Sequence, residues 1–392
     1  MDPVYILSGV RTAIGSFGGS LKDQPPAHLG SIVIAEALRR AGVSPSDVGH
    51  VVMGQVIPSE PKDAYLARVA AINAGIPVAA PTLTLNRLCG SGLQAVISAA
   101  QMIALGECDV AVAGGAEVMS RSPYHVAAVR FGQKMGDVAM VDALIAVLSD
   151  PFEGFHMGET AERVAAAYNV TREMQDALAA ESQRRATSAI AAGRFDEQIV
   201  PVQIESRKGP VQFARDEYPR ADASVESMAG LKPVFRKDGT VTAGNASGIN
   251  DGAAALTLAG QAAVDKQGLN PVAKILGWGH AGVAPDMMGI GPIEAVPIAL
   301  QRAGVALDQI DVIEANEAFA AQACAVADTL GFDPAKVNPN GSGISLGHPV
   351  GATGAIILVK AIHELARTGG RYGLITMCIG GGLGIAMVIE RV

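Results

Sequence analysis

The feature that most constrains this chain is that it repeats itself. Residues 37–43 (ALRRAGV) return as residues 299–305 (ALQRAGV), an offset of 299 − 37 = 262. At the same offset Val51-Val52-Met53 aligns with Ile313-Glu314-Ala315, Gly92-Leu93 with Gly354-Ala355, and residues 110–113 with 372–375. Four matches in one register indicate a duplicated unit. Strand-like apolar stretches at 4–8, 50–54, 81–85 and 110–113 alternate with helix-like ones at 31–41, 64–74 and 93–105. That alternation implies βαβ units around a largely parallel sheet. Gly42 stands at the C-cap of the first helix, and residues 11–19 read as a loop. Two such halves related by a pseudo-twofold bring Gly347-His348-Pro349 of the second near the turn at 86–94 (NRLCGSGLQ) of the first. Cys89 and His348 are therefore expected in one cleft.

The turn at 86–94 has its own chemistry. A strand runs into a Gly-rich turn and then an Ala-rich helix, so Cys89 falls near the helix N-terminus. There the helix dipole favours the thiolate. Gly90 and Gly92 remove side chains that would crowd a substrate or a second backbone segment. Between the halves lies a different region, 120–244. It holds an amphipathic helical tract over 160–193, with a helix start at Thr171, and a polar stretch over 205–220. The first half resumes at 241–258. Asn316-Glu317 at a strand end reads locally as a helix cap, and the Gly triplet 380–382 as a tight turn. All these islands fall at strand ends, where such folds keep their sites.

Composition narrows the class. The chain has 392 residues, enough for two domains, with 49% hydrophobic residues, which calls for a large core plus subunit interfaces. No run approaches the roughly 18 apolar residues that span a membrane. A net charge of −8 speaks against a nucleic-acid partner. The four cysteines (Cys89, Cys108, Cys324, Cys378) form no C-x-x-C pair, so neither a zinc site nor a disulfide framework is expected. No targeting segment is read before Val4, which makes the cytoplasm the expected compartment. Cys108, Cys324, His28, His50, His125, His280 and His363 read as structural.

The islands taken together (Cys89 in its turn, residues 314–320 as EANEAFA, residues 340–343 as NGSG leading into Gly347-His348-Pro349, and Cys378 before Gly380-Gly381-Gly382) resemble the thiolase family over essentially the whole chain. The likeness is strongest to biosynthetic-type acetyl-CoA C-acetyltransferases and bacterial β-ketothiolases. It implies a thiolase fold: two βαβαβαββ halves in a five-layered α-β-α-β-α sandwich with an inserted loop domain. The division expected is 1–119 completed by 245–270, an insertion over 120–244, and 271–392. It implies reversible CoA-dependent cleavage of 3-ketoacyl-CoA to acyl-CoA plus acetyl-CoA, and the reverse Claisen condensation. Cys89 would carry the acyl group, and His348 would take its proton, leaving a thiolate ready near neutral pH. Cys378 would exchange a proton with the acetyl carbanion. One oxyanion hole would comprise His348 and a water on Asn316, the other the N–H groups of Cys89 and Gly380. At Gly380 close backbone approach would leave no room for a Cβ.

By the same resemblance His156, Met157, Ala243 and Ser247 contact the acyl and pantetheine end. Arg220, Ser227 and Leu231 contact coenzyme A, and Phe235, Met288, Ala318 and Phe319 surround the thioester. Leu148 would help set pocket width. No cofactor or metal is implied beyond coenzyme A as substrate. A homodimer or a dimer of dimers is expected, with the loop over 121–148 as the tetramer contact. The readings set beside it are a broad-chain degradative thiolase, a decarboxylating ketoacyl synthase, and a non-catalytic lipid carrier of the same fold.

Overall fold

The computed structural model describes residues 2–206 and 209–392; Arg207 and Lys208, within the polar stretch 205–220, lie outside the described residues. The first half runs β1 (Val4–Thr12), α1 (Pro26–Ala41), β2 (His50–Gly54), α2 (Leu66–Asn73), β3 (Thr82–Leu85), α3 (Ser91–Ala104) and β4 (Val110–Val118). An excursion follows, carrying α4 (Met157–Ala167) and α5 (Arg172–Ala191). The half is then completed by β5 (Asn250–Gly260). The second half runs β6 (Ala273–Gly282), α6 (Gly291–Ala303), β7 (Val312–Ala315), α7 (Ala320–Leu330), α8 (Thr353–Thr368), β8 (Tyr372–Ile379) and β9 (Leu383–Arg391).

The duplication is visible in strand order. Hydrogen-bonded neighbours run β7-β8-β9-β6-β1-β5-β4-β2-β3, a path that reads alike outward from its middle. The halves meet there through antiparallel pairing of Val4, Tyr5 and Ile6 with Ile275, Lys274 and Ala273. β2 pairs in parallel with β3 and β4, as β7 does with β8. The second half's counterpart of β3 has shrunk to a bridge between Ile313 and Val337. Each sequence match becomes a structural one: α1 with α6, β2 with β7, α3 with α8, β4 with β8. Even the caps agree, since Gly42 and Gly304 both end their helices at φ 67°. β4 and β8 are buried along almost their whole length, as strands covered on both faces must be. This is the thiolase fold, with α3 and α8 packed against each other in the middle layer.

The centre of symmetry is a contact between the matched dipeptides themselves. A Cβ on Gly92 would stand 2.7 Å from the Ala355 nitrogen, and one on Gly354 would stand 2.4 Å from the Leu93 nitrogen. Glycine at both positions lets α3 and α8 touch backbone to backbone near their N-termini. Those ends lead directly back into the Cys89 and His348 turns.

Four expectations need correction. The sheet is mixed and not largely parallel: along the strand path the β7–β8, β4–β2 and β2–β3 pairings are parallel and the other five are antiparallel. β1 extends to Thr12, so Arg11 is in a strand and wholly buried. Its guanidinium pairs bidentately with Asp216 at 2.7 and 2.9 Å and donates to Gln198 at 2.8 Å, which ties the inserted region to the central sheet. The tract over 160–193 is two helices, broken where Asn169 takes φ 55° and Thr171 caps α5 by accepting the Met174 N–H. Residues 241–249 form no strand; they cross to the second half, where Ala246 bridges Phe319 and the Ser247 N–H donates to the Ala318 carbonyl at 2.9 Å.

Candidate active site

The Cys89 turn is built by short polar side chains. The Asn86 Oδ1 accepts the Leu88 N–H at 2.8 Å; the Ser91 hydroxyl accepts the Arg87 N–H at 2.8 Å and donates to the Leu88 carbonyl at 2.7 Å. These bonds hold Leu88 at φ 47°, a left-handed conformation that costs a leucine about 1–2 kcal/mol. The strained residue immediately precedes the thiol. Asn and Ser flanking a short turn are a local sequence signal for such a clamp.

The opposing turn is held at three points. Asn250 Oδ1 accepts the His348 N–H at 3.0 Å, Glu117 Oε2 accepts the Gly351 N–H at 3.0 Å, and the His348 Nδ1 lies 2.7 Å from the Thr353 hydroxyl. Glu117 also accepts the N–H groups of Val56 and Ile57, so one buried carboxylate links the two halves behind the site; burial raises it to about 8 against those three donors. Cys378 is the penultimate residue of β8. Cys89, His348, Cys378 and Gly380 line one cavity of about 900 Å³. Its wall is mostly apolar, as suits an acyl thioester.

Electrostatics correct the expectation of a ready thiolate. Burial pushes the Cys89 thiol up, outweighing the N–H groups of Gly380 and Cys89 itself, which donate to the sulfur and favour its charged form. Burial lowers His348 to about 4. Cys378 is raised by burial and by the neighbouring Cys89. Together these shifts favour the uncharged forms of both thiols and of the imidazole in the resting site. A second correction concerns Gly380: the atoms nearest a Cβ there would be Leu88 and Met157 side-chain atoms at 3.4–3.6 Å, an ordinary contact. The protein itself leaves space at Gly380.

Asn316 is buried and is not among the residues that line the cavity, and neither its amide oxygen nor its nitrogen has a partner among the described residues. A buried amide with an open donor and an open acceptor suits an ordered water. Its neighbour Glu317 accepts from Ser182 at 2.6 Å and Asn338 at 2.9 Å and caps no helix; Phe319 occupies the N-cap of α7. Burial raises the Glu317 carboxyl.

The other candidate residues divide between two cavities. His156, Met157, Phe235, Ala243, Ser247, Met288, Ala318, Phe319 and Arg220 line the main cavity. His156 caps α4 through its Nδ1 and stacks on Phe235 at 4.7 Å, and Phe235 meets Phe319 edge-on at 6.3 Å. Ser227 and Leu231 line an adjoining cavity of about 210 Å³ that shares Arg220, Tyr218 and Ala243 with the first. Leu148 is also on the main wall. Phe17, Glu217 and Tyr218 line the cavity too and went unread, because nothing in their local sequence marks them. Among the described residues no group of three or more His, Cys, Asp or Glu gathers as a metal site.

A duplicated α/β architecture with two thiols and an imidazole in an apolar cavity defines a class of enzyme that transfers acyl groups through a cysteine thioester. Family models agree: "Thiolase, N-terminal domain" matches residues 4–262, and "Thiolase, C-terminal domain" matches 269–391. The chain is 61% identical over 390 residues to the beta-ketothiolase BktB of Cupriavidus necator, covering 99% of each. It is 50% identical over 393 residues to an acetyl-CoA acetyltransferase of the same organism, covering 100% of each. Among solved structures, the Bacillus anthracis acetyl-CoA acetyltransferase superposes with a TM-score of 0.98 at 48% identity, covering 100% of this chain and 99% of that one. The human mitochondrial 3-ketoacyl-CoA thiolase in complex with CoA gives 0.96 at 42%, with 100% and 98% covered. The chain belongs to the thiolase family.

Proposed function

We propose that this enzyme interconverts 3-ketoacyl-CoA plus CoA with acyl-CoA plus acetyl-CoA through an acyl-Cys89 intermediate. The observation that carries this reading is the pairing of two thiols, Cys89 and Cys378, with His348 in one mostly apolar cavity. In thiolysis the Cys89 sulfur attacks the C3 carbonyl while His348 takes its proton. The C2–C3 bond then breaks, Cys378 gives its proton to the leaving C2 carbanion, and acetyl-CoA departs. The thiol of an incoming CoA gives its proton to the Cys378 thiolate and attacks the acyl-Cys89 thioester; the Cys89 sulfur leaves, taking back the proton from His348, and acyl-CoA departs. Condensation runs the same steps backwards, with the Cys378 thiolate removing the α-proton. The N–H groups of Cys89 and Gly380 suit one developing oxyanion, and His348 with a water on Asn316 suits the other; each such donor is worth about 3 kcal/mol. The space at Gly380 then serves the substrate.

Arg220, Ser227 and Leu231 in the adjoining cavity suit the nucleotide end of coenzyme A, with Arg220 able to pair with phosphate. Residues 1–119 with 245–270, and 271–392, act as the catalytic halves; 120–244 closes the cavity and carries the exposed apolar side chains Phe131, Met135 and Met140, which suit a subunit contact. The functional unit is a cytoplasmic dimer or dimer of dimers. Short-chain substrates are favoured, five-carbon ketoacyl groups included, in keeping with the likeness to a beta-ketothiolase and to acetyl-CoA acetyltransferases, with Met157, Met288 and Leu148 on the cavity wall. A thiolysis profile across 3-ketoacyl-CoA substrates from four to sixteen carbons tests this. Activity confined to four and five carbons is expected; even rates through sixteen would favour the degradative reading. A requirement for a malonyl-carrier protein would instead reveal a decarboxylating synthase.

A further inference from the structure

His348 has two ring nitrogens, and a base at the Cys89 thiol can use only one of them. Nδ1 is 2.7 Å from the Thr353 hydroxyl, while Nε2 has no hydrogen-bond partner among the described residues and belongs to a ring that lines the cavity. The Thr353 hydroxyl also stands 2.9 Å from the Pro349 carbonyl, one turn back at the start of α8. A hydroxyl has one proton to give, and a carbonyl can only accept. If that proton pointed at Nδ1, two oxygens 2.9 Å apart would face each other with nothing between them. If it points at Pro349, the hydroxyl lone pair is left for a proton on Nδ1, and every group is matched. The Pro349 carbonyl also receives the N–H groups of Ala352 and Thr353, both at 2.9 Å, so its oxygen is already pinned facing the helix end.

We propose that Thr353 is a positioning residue that holds the neutral His348 ring in the Nδ1–H tautomer and leaves Nε2 bare for the Cys89 proton. The inference rests on the reading of His348 as the base. The partner of one ring nitrogen decides what the other can do, and here that partner is a side chain with its own proton committed elsewhere. The arrangement also serves the step after proton transfer. Once Nε2 has taken the Cys89 proton, Nδ1–H keeps its bond to Thr353, and the ring has no need to turn. Asn250 and Glu117 fix the backbone of the same turn, so among the described residues Thr353 makes the one hydrogen bond to the ring. Burial of the ring, which keeps it uncharged, makes the choice of tautomer matter.

The test uses the full-length enzyme labelled with 15N-histidine, with His348→Asn assigning the His348 resonances. At pH 7 the parent is expected to show a protonated Nδ1 and a bare Nε2. Thr353→Ser keeps the hydroxyl and should keep that pattern. Thr353→Val is close in shape but cannot accept, and should show the other tautomer or exchange between the two. Acetylation of Cys89 by acetyl-CoA should slow about 10-fold or more in Thr353→Val, within the roughly 10²–10⁴ a general base supplies. It should return to within about 3-fold of the parent in Thr353→Ser, and KM for acetyl-CoA should stay within about 2-fold in both. A proton on Nε2 in the parent overturns the proposal, as does a Thr353→Val enzyme with the parent's tautomer and rate. The NMR pattern is read without turnover, so the two failures separate. Undiminished acetylation in His348→Asn would remove His348 as base while leaving the tautomer assignment standing.

Discussion

Replacing Gly354 with alanine tests whether the symmetry centre sets the site's geometry. On an exposed helix this change stabilises by about 1 kcal/mol, because alanine costs less backbone entropy. In α8 the new Cβ would stand 2.4 Å from the Leu93 nitrogen, 2.8 Å from its Cβ and 3.1 Å from its Cα. Real Cβ contacts do not fall below 3.0 Å, so the helices must separate by at least 3.0 − 2.4 = 0.6 Å. The obstacle is backbone, which cannot rotate away as a side-chain tip could. Overpacking of this kind costs about 1–3 kcal/mol, and this contact belongs at the upper end. α3 and α8 carry Cys89 and His348 on the turns before their first residues, so the same displacement is passed to the catalytic pair. A misplacement of about 1 Å can cost roughly 10²-fold, and 0.6 Å should cost on the order of 10-fold in the rate of Cys89 acetylation. Urea unfolding gives the stability change, and quenched-flow mass analysis gives the acetylation rate. A Gly354→Ala enzyme as stable as the parent and equally fast would refute the reasoning from close approach.

Other expectations follow from single residues. Arg11→Met leaves the Asp216 carboxylate buried without its guanidinium and should cost about 3–5 kcal/mol in urea unfolding; a loss under about 1 kcal/mol would mean the inserted region is not anchored there. Asn316→Ala should lower kcat for condensation by about 10²–10³ with KM little changed, as expected for one oxyanion-hole donor; unchanged kcat would exclude the water on Asn316. His348 falls from 6.5 in the open chain to about 4 in the fold, so between those values the unfolded state binds the extra proton. Stability gained by keeping the ring neutral is therefore present above pH 6.5 and lost as pH falls through 4. His348→Asn should lose up to about 2–3 kcal/mol less than the parent between pH 6.5 and 4.5, with other groups cancelling in the difference. Equal acid sensitivity would show the ring to be less buried than described.

Much of this molecule was legible because duplication writes tertiary information into the linear sequence. The offset of 262 pairs α1 with α6 and α3 with α8, and so places His348 opposite Cys89. What stayed hidden depends on partners distant in sequence. Arg11 reads as a loop residue because its neutralising Asp216 lies 205 positions away. Glu117 lies in a strand pattern and gives no sign that it binds backbone from both halves. The direction of the Cys89 shift also required the structure. The helix N-terminus was readable, but the burial that outweighs it comes from the whole cavity. Gly380 shows the reverse case: the close approach expected there is not made by the protein, whose nearest side-chain atoms leave room for a Cβ.

The central claim is that Cys89 carries the acyl group and Cys378 moves the proton. Peptide mass spectrometry after brief exposure to acetyl-CoA, on the parent and on Cys378→Ala, tests both halves at once. The account predicts an acetyl group on Cys89 in both proteins, and acetoacetyl-CoA formed only by the parent. An acetyl group on any other residue, or a Cys378→Ala enzyme that condenses at the parental rate, would contradict it.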